Sequence, residues 1–191
     1  MGTTATMAFY KKTNLPFGMA YTHLLSLYLQ SDGYPDKSGT PYKMISYLDK
    51  TWFNPIEWSR VYQEAGLDDG YANGIEDALL MLVAKFKKGP YGLYLSSAKF
   101  EDDIQNIPSD HMKQQRIIGE NLFKFPDSIT DYTYIFFFSK AAPQCADFYI
   151  YRKDYKKGIP FQKPCTPNIE IEDYLENPNR FETQDEGEVE E

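Results

Sequence analysis

The sequence predicts an α+β fold: an antiparallel-rich mixed sheet of about five strands, two or three helices on one face, and an acidic C-terminal tail. Three observations carry this reading. Runs with a two-residue apolar period and runs with a helical period are interleaved in mixed order along the chain. Aromatic residues reach 16%, with 16 Tyr and 13 Phe, and such rings pack well on a pleated surface. The net charge of −8 is concentrated at one end. Glu170 to Glu191 hold ten acidic residues and one basic residue, while the preceding 169 residues hold 18 acids and 19 bases. With Lys156-Lys157-Gly158-Ile159-Pro160 read as the boundary, the chain divides into a nearly neutral body of residues 1–157 and a Pro-containing acidic tail of residues 158–191.

The elements can be justified in order. Thr3 to Tyr10 alternates polar or small residues with Ala5, Met7 and Phe9, the pattern of a half-buried strand. Asn14 to Gly18 reads as a connection, and Leu25, Leu27 and Leu29 resume the alternation. Asp32-Gly33-Tyr34-Pro35 stops this second strand, with Gly33 expected at positive φ. Thr40-Pro41 reads as a helix start, a capping hydroxyl followed by Pro at the first helical position, with Met44, Ile45 and Leu48 on one face. A short helix is expected between Trp52 and Gly66.

Asn73-Gly74-Ile75-Glu76 is the clearest helix start, since Asn73 can cap while Glu76 reaches back to it. Leu79, Leu82, Val83 and Phe86 follow at helical spacing, and Gly89-Pro90 ends the element. Tyr91 to Leu95 reads as a strand, and a helix is expected around Met112 to Leu122. Tyr132 to Ser139 and Phe148 to Arg152 form two aromatic strands across a hairpin connection. Beyond Tyr155, Pro160, Pro164, Pro167 and Pro178 punctuate the tail, whose final residues are expected to be disordered when free.

Met1-Gly2-Thr3, Asp32-Gly33-Tyr34-Pro35 with Gly39, Ala72-Asn73-Gly74 and Lys85-Phe86-Lys87 occur in that order. In these motifs, over roughly residues 1–155, the chain resembles a group of uncharacterised proteins frequent in bacteriophage and bacterial genomes. The resemblance implies a phage or mobile-element setting and the same element order, and it brings no established activity. Thr4 stands where the group usually has Arg, and Lys37-Ser38-Gly39 lacks the His common in that loop.

Chemistry-bearing patterns are sparse. His23 and His111 sit in no recognised catalytic motif, and His, Cys and carboxylates show no metal-ligand spacing. There is no phosphate-binding loop or dinucleotide fingerprint, so no cofactor, no metal and no catalytic residue is assigned. Cys145 and Cys165 form no C-x-x-C pair and suit free thiols in a reducing cytosol, with one long-range disulfide as the alternative. The opening residues carry no signal-peptide pattern, and no run approaches the ~20 apolar residues of a membrane span. A cytoplasmic location is expected. Tyr149, Tyr151, Arg152, Lys153, Lys156 and Lys157 interleave rings with bases, yet a body at net +1 argues against direct nucleic-acid binding.

Two candidate sites remain. Asp32 and Tyr34, beside the helix start at Asn73 and Gly74, could hold a small nucleotide-like ligand, although turn chemistry alone accounts for these residues. In the tail, Glu170, Glu172, Asp173, Tyr174 and Leu175 combine acids with apolar anchors that could dock on a basic protein surface. A solubility role is the plainer alternative for the tail. The function expected first is a non-catalytic binding protein, phage-encoded, that engages a host protein and blocks a host defence or nucleic-acid system. The rivals are a small-ligand binder or enzyme at Asp32 and Asn73, and a structural or assembly protein.

Overall fold

β1 (Ala5–Leu15) and β2 (Gly18–Leu29) form an antiparallel hairpin in the computed structural model of the protein. The structure describes residues 2–16, 18–53, 72, 74–90, 92–97, 130–139, 147–154, 161–169 and 171–181. β3 (Leu93–Leu95) adds to β2, while β4 (Tyr132–Ser139), β5 (Asp147–Asp154) and β6 (Phe161–Ile169) extend the sheet on the other side of β1. The order is β3-β2-β1-β4-β5-β6. Among the described residues only the β1–β4 pair is parallel, so the sheet is mixed and antiparallel-rich as expected, with six strands described where about five were read.

β1 was expected to be half-buried. Instead every residue from Ala5 to Tyr10 is buried, on both faces. The alternation there separates two chemistries, since Met7 and Phe9 face one side and Thr6, Ala8 and Tyr10 the other. A one-residue irregularity between Phe9 and Tyr10 pairs Tyr10 with His23, making Leu24 the extra residue of a β-bulge. Tyr132 to Phe138 in β4 are likewise buried throughout, as a strand placed between two neighbours should be.

Among the described residues three helices pack on one face, so the α+β class holds. α1 (Thr40–Leu48) buries Pro41, Met44, Ile45 and Leu48, and a π-helical turn (Asp49–Phe53) continues it. Its N-cap is Gly39, with no side-chain cap, so Thr40 does not play the capping part expected of it. Pro41 still occupies the first turn, where its missing N–H has no intrahelical partner to lose. α2 (Ile75–Phe86) presents Ile75, Ala78, Leu79 and Leu82 at i, i+3, i+4 and i+7. Its N-cap is Gly74 at φ 103, again without a side-chain cap, and Glu76 pairs with Lys11 at 3.0 Å, while Asn73, the expected partner of Glu76, lies outside the described residues. Of the helix expected between Trp52 and Gly66, only residues 52 and 53 are described, as the end of the π-helical turn, and the helix expected around Met112 to Leu122 lies outside the described residues.

α3 (Ile171–Glu176) and a 3₁₀ turn (Pro178–Phe181) correct the tail expectation over residues 161–181. β6 is a sheet strand paired with β5, and Ile171 and Tyr174 are buried in the main core. Pro164 and Pro167 mislead at sequence level because β6 is an edge strand, where a missing backbone donor is tolerated. A line of rings crosses the helix-bearing face: Phe9 to Phe136 at 4.9 Å, Phe136 to Phe148 at 4.5 Å, and Phe148 to Tyr174 at 5.2 Å. Each such pair contributes about 0.5–1.5 kcal/mol beyond its buried area. α3 is thereby tied to strands far earlier in the chain.

Candidate functional site

The segment 32–39 links β2 to α1 and is fixed by hydrogen bonds within itself and from Thr3, Tyr134 and Tyr174. Asp32 is exposed and adopts φ 57, and its carbonyl accepts a hydrogen bond from the Thr40 N–H at 2.7 Å. Gly33 is buried and lies outside the positive-φ region, contrary to expectation. Its glycine identity is demanded by space, since a Cβ there would stand 2.8 Å from both the Thr4 carbonyl carbon and the Ala5 Cβ. The Gly33 N–H donates to Thr3 at 2.9 Å, and its carbonyl accepts from the buried Tyr134 hydroxyl at 2.8 Å. Asp36 accepts from the backbone N–H groups of Ser38 at 2.7 Å and Gly39 at 3.1 Å, closing an Asx turn.

Tyr34 is the exposed aromatic residue of this loop, at 41% exposure. The next carbonyl, that of Pro35, accepts a hydrogen bond from the Tyr174 hydroxyl of α3. Tyr42 of α1 stands 5.9 Å from the Tyr174 ring and donates its hydroxyl to the Leu175 carbonyl at 3.2 Å. Two candidate groups some 140 residues apart thus meet on one end of the molecule. The exposed side chains there are Asp32, Tyr34, Lys37 and Ser38 from the loop and Glu172, Asp173 and Glu176 from α3.

The remaining candidates separate. Asn73 and Glu170 lie outside the described residues. Gly74 caps α2, and none of the loop's hydrogen bonds reaches it, so the loop and the α2 start are not shown as one ligand cradle. Tyr174, expected as an anchor for a partner, is fully buried in the protein's own core, and Leu175 packs partly against it. A helical i, i+3, i+4 spacing of Ile171, Tyr174 and Leu175 was the signal that could have revealed this.

Sequence reasoning missed two further groupings. At the start of β1 the Asp131 carboxylate accepts from the Thr4 N–H at 2.7 Å and from the Thr4 hydroxyl at 3.0 Å, pinning the β1–β4 junction. The bulge brings His23 Nε2 to 2.8 Å from the Ser26 hydroxyl, with the Tyr10 ring edge-on to the imidazole at 5.3 Å. Ser26 is 1% exposed within a strand, so this pair presents no open nucleophile. Burial pushes the Tyr151 phenol well above its usual pKa, and neighbouring Tyr149 adds to the effect. Among the described residues, no group of three His, Cys, Asp or Glu side chains is placed to hold a metal ion, and no helix is long and apolar enough to cross a membrane.

Fold and surface together define a mixed-sheet α+β protein with a short acidic helix clasped to a tightly built loop. The chain matches no family model, no curated protein and no solved structure.

Proposed function

We propose that the protein is a non-catalytic binding protein that engages a basic surface of a host protein through the end formed by loop 32–39 and α3. The observation that carries this reading is the Tyr174–Pro35 hydrogen bond, which ties the loop bearing the exposed Tyr34 to the helix bearing exposed carboxylates. Held acids lose little conformational freedom on binding, and an exposed Tyr supplies a large amphipathic contact. The loop's own polar groups are largely consumed by backbone contacts, which favours surface recognition over a ligand cradle at Asp32. Resemblance to phage and bacterial proteins makes a bacterial cytoplasm the place to look, with a defence or nucleic-acid protein as the target to be blocked.

The test is affinity capture from a host lysate with the full chain, the surface variant Glu172→Lys/Asp173→Lys/Glu176→Lys, and Tyr34→Ala. The positions are exposed, so each variant should fold normally. The expected result is a discrete partner whose binding weakens about ten-fold or more in the charge-reversed chain and on adding salt. Capture that is indifferent to both sets of substitutions would sink the proposal.

A further inference from the structure

The outward backbone groups of β3 can be named from its pairing with β2. Gln30 donates its N–H to the Gly92 carbonyl at 3.0 Å, and Ser96 donates to the Ser26 carbonyl at 2.9 Å. Hydrogen-bonded positions alternate in an antiparallel pair, so Gly92, Tyr94 and Ser96 face β2. The N–H and C=O groups of Leu93 and Leu95 therefore point away from it, and among the described residues no strand lies on that side. One of these outward groups is nevertheless occupied. The Lys87 ammonium, at the C-terminal end of α2, donates to the Leu93 carbonyl. The same ammonium stands 4.6 Å from the centroid of the Tyr94 ring, a cation–π contact. Leu95, the other residue whose backbone faces outward, is 76% exposed.

We infer that Lys87 guards the β3 edge, and that the occupant it keeps off is the β3 edge of a second copy of this chain. An unpaired edge is a template for strand addition, and a lysine placed on it is one means of blocking that addition. The β3 edge is self-complementary. Two copies of β3 laid antiparallel about Tyr94 set Leu93 of each opposite Leu95 of the other, so every outward N–H meets an outward C=O. The same register places the exposed Leu95 side chain next to an apolar cross-strand neighbour. With Lys87 in place the pairing fails twice. The Leu93 carbonyl is already taken, and the two-fold axis would bring the ammonium groups of both copies to one contact, where like charges repel. At the opposite edge of the sheet Pro164 and Pro167 remove backbone donors from β6, whereas Leu93-Tyr94-Leu95 has no such interruption. On the β3 side the lysine does what proline does on the other.

The experiment is size-exclusion chromatography with light scattering on the full chain, over protein concentrations rising to the millimolar range. The wild-type chain should run as a monomer and Lys87→Met should reach about twice that mass. Lys88→Met removes the neighbouring exposed lysine and should stay monomeric. Adding Leu95→Pro to Lys87→Met deletes an outward N–H without touching the pairing to β2, and should return the monomer. Should the proline variant fail to fold, Leu95→Lys puts a charge on the same edge and must return the monomer in its place. A monomeric Lys87→Met, a wild-type chain or Lys88→Met that associates as readily, or association that survives the Leu95 substitution overturns the inference.

Discussion

At Gly39 a Cβ would stand 1.9 Å from the carbonyl oxygen of Tyr34, closer than any real side chain can approach. The offending atom is backbone, so the loop must open for the contact to be relieved. Gly89 makes a useful contrast: it sits at φ +89 with nothing within 4 Å of its would-be Cβ, so only backbone strain opposes a side chain there. Gly39→Ala should therefore destabilise the protein by about 3 kcal/mol, against about 1 kcal/mol for Gly89→Ala, both read by urea denaturation. Equal losses would mean that the 32–39 loop is looser than its contacts imply. At this scale the turn at Asp32-Gly33-Tyr34-Pro35 was legible, because Asp, Gly and Pro each restrict the backbone in a known way. Which residue takes positive φ was not legible. Gly33 is required by the approach of β1, 28 residues away in the chain, and that leaves the left-handed position to Asp32.

Among the elements, α2 and β4 were readable because a single period dominates each: four buried residues at helical spacing in one, an aromatic run in the other. The first half of β2 was not, because the bulge breaks the alternation and His23 and Ser26 place polar atoms on a half-buried or buried face. α3 was hidden by its acids, which dominate composition while Ile171 and Tyr174 carry the packing. The acidic helix is nonetheless held by specific contacts. Tyr174→Ala should cost about 3–5 kcal/mol through the lost ring packing, and Tyr174→Phe about 1 kcal/mol through the lost hydrogen bond to Pro35. These values come from chemical denaturation monitored by tryptophan fluorescence and circular dichroism. An alanine variant as stable as the wild type would show that α3 does not dock, and would remove the rigid base on which the protein-binding proposal rests.

For the whole molecule, the decisive question is where the cooperative unit ends. Composition places the break near residue 158, where Lys156-Lys157-Gly158-Ile159-Pro160 opens a Pro-punctuated stretch that turns sharply acidic from Glu170. Packing places it later, because β6 completes the pairing of β5 and α3 covers Phe148 with Tyr174. A chain ending at Lys157 would leave β5 as an open edge and strip the fully buried Phe148 of a ring neighbour. Unpaired aromatic edges of that kind invite association between chains. The truncated protein should therefore lose its sharp thermal transition, bind a hydrophobic dye, and elute as aggregates in size-exclusion chromatography. Addition of a peptide spanning 158–181 at high concentration should partly restore the transition, since the lost element is a strand and helix with a preformed seat. A soluble monomer melting at the full-length temperature would instead establish residues 1–157 as the complete folding unit, with the C-terminal strand and helix as an accessory layer free to serve a partner.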